Sequence, residues 1–160
     1  MDVAVEARVD RVSAFVQWCE SRGLETDAAK AMAVGRKRDV TIKKWRETGD
    51  MPGWLPFACF GYGVLQNQQG QRYPKIPDWT VTILTEWRQR AGLAGDKQFG
   101  DAIGLSKQAV FKWYAYSSVP AYVGRVCLGY QWFLDTYGPD MDPWECLGME
   151  ATKSSKIGDR

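Results

Sequence analysis

"DKQFGDAIGLSKQAVFKWYA", Asp96–Ala115, is the stretch whose reading decides the fold. Its residues meet the demands of two short helices joined by a tight turn. Gly100 has no side chain where the second helix must cross the first closely. Gly104 suits the positive φ that such a turn needs. Phe99, Ile103 and Leu105, then Val110 and Trp113, supply the two inward faces. Ser106 stands where the second helix begins, and its hydroxyl can accept from an otherwise unpaired backbone N–H. A lone glycine in a helical pattern says little, but this set at mutually consistent spacing reads as a helix-turn-helix.

Working outward, the same unit is written twice. "CFGY", Cys59–Tyr62, returns as "CLGY", Cys127–Tyr130. Pro52 and the Lys44–Trp45 pair return as Pro120 and Lys112–Trp113. All of these are 68 positions apart (59→127, 52→120, 45→113). Trp18, Gly23, Leu24 and Gly35 match Trp87, Gly92, Leu93 and Gly104 at 69 positions (18→87, 35→104). One residue is therefore inserted between Gly35 and Trp45, in the turn of the first copy. Two copies are too few for a solenoid, so a tandem pair of small domains is expected.

Each copy reads as about four helices and no strand. The expected organisation is all-α, with two tandem helix-turn-helix domains. The first covers 1–66, a polar linker with two prolines covers 67–77, the second domain covers 78–150, and an unstructured tail covers 151–160. The first helix is expected from about Val3 to Arg22, with Val5, Val9, Val12, Val16 and Cys19 on its apolar face and Gly23 ending it. Its counterpart should carry Trp79, Ile83 and Trp87 on one face, capped by Asp78 after Pro77 and stopped by Gly92. The fourth helices follow Pro52 and Pro120. Their stripes are Leu55, Ala58, Cys59, Tyr62 and Leu65, and Val123, Val126, Cys127, Tyr130 and Leu134.

Composition narrows the function classes. Hydrophobic residues make up 45% of the chain and the formal net charge is +2. No apolar run approaches a bilayer's span, and the charged N-terminal stretch does not read as a secretory signal. An intracellular, cytoplasmic protein is expected. Four cysteines lack the close spacing of a metal or redox motif, so they read as buried reduced thiols. The chain has no histidine, no phosphate-binding glycine loop, no paired-carboxylate motif and no nucleophile elbow, which argues against an enzyme and names no cofactor or metal. Between Arg36 and Arg46, six of eleven residues are basic, with Asp39 the single acid. That is either a polyanion footprint or a solvated helix face.

"AIGLSKQAVFKW" followed by "VPAYVGRVC" resembles the Cro and lambda-repressor-like helix-turn-helix family of phage and mobile-element regulators. The likeness is fullest over Lys97–Leu134 and thinner in the first copy, through "AVGRKRDVTIKKW" and "MPGWLPFAC". It implies a helical DNA-binding domain with the second motif helix in the major groove. Carried over by position, the reading face of the second copy is Ser106, Lys107, Gln108, Phe111 and Lys112. In the first copy it is Arg38, Asp39, Val40, Lys43 and Lys44, with Arg36 and Lys37 in the lengthened turn suited to phosphates. Gln suits adenine and Lys suits guanine or phosphate. Trp45 and Trp113 are expected in the core. The resemblance thus implies a transcriptional regulator of repressor type in the bacterial cytoplasm or nucleoid, with double-stranded DNA as partner and two unlike half-sites as target. A homodimer would extend that to four. The alternative is a helix-turn-helix redeployed to hold a protein partner, as an inhibitor or anti-activator, through the aromatic run Phe111–Tyr116.

Overall fold

Thr26, Thr80, Ser106 and Asp142 each turn a side-chain oxygen onto a backbone N–H at a helix start. The distances are 3.1 Å to Ala29 N, 3.2 Å to Ile83 N, 3.1 Å to Ala109 N and 2.9 Å to Trp144 N. Each cap satisfies a donor that the helix cannot pair internally. The computed structural model describes residues 3–153, with side chains from 11 onward. Among the described residues the secondary structure is helical throughout. The helices are α1 (Val3–Ser21), α2 (Asp27–Ala33), α3 (Asp39–Thr48), α4 (Leu55–Gln69), α5 (Val81–Ala91), α6 (Asp96–Ile103), α7 (Lys107–Ala115), α8 (Ala121–Thr136) and α9 (Pro143–Thr152). None is long and apolar enough to cross a membrane.

Several expectations need correction. Asp78 does not cap α5. Thr80 does, two residues later, because its hydroxyl reaches the Ile83 N–H. Ile83 is not on the buried face of α5; it is 40% exposed, and Leu84 and Trp87 face inward instead. Among the described side chains of α1 the buried ones are Phe15, Trp18 and Cys19, with Val12 and Val16 half-buried. The side chains of Val5 and Val9 lie outside the described ones. α4 continues to Gln69, past the expected start of the linker. The tail does not begin at Ala151, since α9 runs to Thr152; residues 154–160 lie outside the described ones. α9 itself was not anticipated. It packs on α1 and α4 rather than on the helices just before it.

Both copies of the Cys-x-Gly-Tyr motif lie where α4 and α8 cross, the most extensive helix pairing in the molecule. A Cβ at Gly61 would stand 1.9 Å from the Arg125 carbonyl oxygen, and one at Gly129 would stand 1.7 Å from that of Phe57. The two clashes are the same contact seen from each copy (57→125, 61→129). Cys59 and Cys127 are both fully buried beside this crossing. Tyr62 donates to the Arg72 carbonyl at 3.1 Å, and Gln66 Nε2 donates to the same oxygen at 2.7 Å, so the segment after α4 is tied back onto it.

All four cysteines are free and buried, and burial raises each thiol pKa, that of Cys146 to about 11. The same cause lifts Tyr62 to about 12. A raised acid holds its proton longer in the folded chain than in the unfolded one. Its stabilising contribution is complete below the unfolded thiol value, about 8.5, and is lost as pH rises above it. Unfolding free energy should therefore drop above about pH 8.5, by up to ~1.4 kcal/mol per pH unit for each thiol. Guanidinium unfolding at pH 7, 9 and 10 checks this, and Cys59→Ala should make the drop shallower. A level profile across that range would contradict the thiol burial.

Candidate nucleic-acid interface

The inner faces of α3 and α7 are spent on the core. Ile42 and Trp45 are buried on one helix, Val110 and Trp113 on the other. Phe15 meets Trp45 edge-on with ring centroids 6.1 Å apart, and Phe99 meets Trp113 at 6.4 Å. Both tryptophans thus seat their helices, as expected. The motif turn also has the expected geometry. A Cβ at Gly100 would stand 2.5 Å from the Leu105 carbonyl, and Gly104 takes φ +80°. A side chain at Gly100 would push α7 away from α6, and one at Gly104 would be strained by that φ and would meet the Gly53–Trp54 backbone.

What remains on the outside is mostly polar and cationic. Arg36, Lys37, Arg38, Lys43, Lys44, Ser106, Lys107, Gln108, Phe111 and Lys112 are all exposed. Asp39 and Val40 are exposed with them. The ion pairs among the described residues involve none of these cations. Arg46, the remaining base of that run, pairs with Asp27 at 2.6 Å and fastens α3 to α2. The Ser106 hydroxyl is occupied as the cap of α7. Arg38 holds the matching position on α3 and makes no side-chain cap bond. Phe111 is 65% exposed, so it does not pack within the chain.

The structure adds two features that residue patterns did not indicate. Trp54 and Tyr122, 68 positions apart, stack on each other with centroids 4.4 Å apart. The Arg36 guanidinium lies over both rings, at 5.4 and 5.6 Å. Burial raises the Tyr122 hydroxyl pKa, and Arg36 opposes the rise. The inserted basic turn therefore sits where the two copies meet, not on a remote loop. Finally, Tyr116 is 78% exposed just beyond α7. The run "FKWYAY" signalled aromatic surface there, although Trp113 in its middle is buried. No protein-family model, curated protein or solved structure matches the chain.

Proposed function

We propose that the chain is a sequence-specific double-stranded DNA-binding regulator that reads two unlike half-sites with α3 and α7. The observation that carries this reading is the division of labour on both helices. Each buries a tryptophan and an aliphatic residue inward and leaves motif-positioned lysines, with Gln108 on α7, unpaired and outward. Lys43, Lys44, Lys107, Lys112 and the Arg36–Lys37–Arg38 turn suit phosphates and guanine. Gln108 suits the paired donor and acceptor of adenine, and Phe111 a thymine methyl.

The test is selection of a preferred duplex from random DNA, followed by affinity for it and for a scrambled duplex at one salt concentration. Gln108→Ala should lose about 1–3 kcal/mol on the selected site and little on scrambled DNA, because phosphates carry the non-specific term. Equal losses on both would sink base reading by α7. Lys43→Ala with Lys44→Ala should weaken binding to every sequence and flatten the salt slope by up to about 1.8, close to 0.9 for each lost phosphate contact. An unchanged slope with an intact fold would remove α3 from the interface.

A second reading rests on Phe111 and Tyr116, whose exposure suits a protein partner. In that case Phe111→Ala abolishes partner capture and Gln108→Ala changes no DNA preference.

A further inference from the structure

Resting on the DNA reading above, the geometry points to a narrower target: one duplex carrying two unlike half-sites at a single fixed spacing, bound by one chain in one orientation. Two helix-turn-helix units on a flexible tether would tolerate many spacings, since the linker sets only an effective concentration. Here the units are not free of each other. Their fourth helices touch backbone to backbone at Gly61 and Gly129. Phe57 meets Tyr130 and Phe133 across the same junction at 5.4 and 5.6 Å, and Phe60 meets Phe133 at 6.1 Å. The buried core runs through both copies without a break.

The junction also lies at the start of both reading helices. Gly104, in the turn before α7, packs on Gly53 and Trp54; a Cβ there would be 2.5 Å from the Gly53 carbonyl carbon. Gly35, in the turn before α3, packs on Tyr122, 2.6 Å from its Cα by the same measure. Trp54 and Tyr122 are the stacked pair, so α3 and α7 begin on either side of it. Changing the distance between them would mean opening that stack and the α4–α8 crossing. One residue longer than its counterpart, the Arg36–Lys37–Arg38 turn brings three exposed cations to the junction, against the exposed Lys107 and the buried Arg125 from the second copy. DNA lying between the half-sites would meet more positive charge from the first copy than from the second, which gives the complex a polarity.

The experiment uses the full chain and the duplex recovered by selection, with base pairs inserted between its half-sites. One inserted pair rotates the second half-site by about a tenth of a turn, and five pairs by about half. Affinity should fall about tenfold for one pair and to the scrambled-DNA level for five. Ten pairs should not restore it, because the helices cannot move apart by a full turn. Native mass spectrometry should find one chain per duplex. Affinity within about twofold across the insertions, two chains per duplex, or a selected sequence holding a single half-site would each overturn the inference while leaving DNA binding intact. Failure to select any sequence would overturn both.

Discussion

Gly129→Ala should cost more than about 3 kcal/mol of stability, the high end for inserting atoms into a packed interior. The added Cβ would sit 1.7 Å from the Phe57 carbonyl oxygen and 2.7 Å from the Gly61 nitrogen. Both obstacles are helix backbone, so no rotamer change relieves them. α4 and α8 would have to separate by more than an ångström, and dispersion contacts along the whole crossing would weaken together. Gly61→Ala meets the reciprocal obstacle and should behave alike. Gly148→Ala on α9 is the control. Among the described residues its Cβ would meet only the Ala14 methyl, at 4.0 Å, and removing a helical glycine should leave stability unchanged or raise it by up to about 1 kcal/mol. Denaturant midpoints of the three variants decide the matter. A Gly129→Ala midpoint near that of the parent would mean the helices do not touch as described. The proposed fixed half-site spacing would then lose its basis.

The glycines that matter here were visible in the sequence, but not what they touch. Gly100 and Gly104 could be read because a helix-turn-helix is local: the obstacle to a side chain at Gly100 is Leu105, five residues on. The obstacle at Gly129 is Phe57, on the other copy, and only the three-dimensional packing supplies it. The repeat of Cys-x-Gly-Tyr revealed a copied unit but gave no sign that the copied glycine was the contact between units. Exposure of Lys43, Lys44, Lys107, Gln108 and Lys112 followed from helical period alone, since Trp45, Val110 and Trp113 fix the inner face. The place of Arg36 did not follow, because its neighbours Trp54 and Tyr122 come from different copies. α9 had a readable start in Asp142–Pro143, a capping residue and a proline at the first helical position. Its seat on α1 had none. Asp78 was a plausible cap beside Pro77, yet Thr80 also fits that role, and the choice depends on where Trp79 packs. Trp79 lies against Gly124 of α8, within 2.8 Å of where a Cβ would be.

Arg88→Met should destabilise the second copy by about 3 kcal/mol and disturb α7 before α3. The Arg88 side chain is 6% exposed, and its bonds hold the loop between α5 and α6. Nε donates to the Leu93 carbonyl at 3.0 Å, and Nη2 donates to the Ala94 carbonyl at 2.7 Å and to the Asp96 carboxylate at 2.9 Å. The guanidinium also lies over Phe99 of α6 at 4.7 Å and Tyr114 of α7 at 5.4 Å. Methionine keeps most of the volume and removes every donor. The buried Leu93 carbonyl then loses its partner, at about 1–3 kcal/mol, and the part-buried Ala94 carbonyl loses a bond that water can partly replace. Asp96, 38% exposed on its side chain, can turn to water and adds little. The first copy escapes the effect because its interior is charged differently. Cys19 takes the place of Arg88 (19→88) and the buried Lys30 takes that of Phe99 (30→99), while the second copy's other buried cation, Arg125, stands where the first copy has Phe57 (57→125). Amide exchange should therefore accelerate in α6 and α7 of the variant while α2 and α3 keep their protection. On the proposed DNA reading, preference at the half-site read by α7 should weaken and that read by α3 should persist. Uniform acceleration in all four helices would show that the two copies unfold as one unit whichever is weakened, and Arg88 would then be a support of the whole molecule, not of α7 alone.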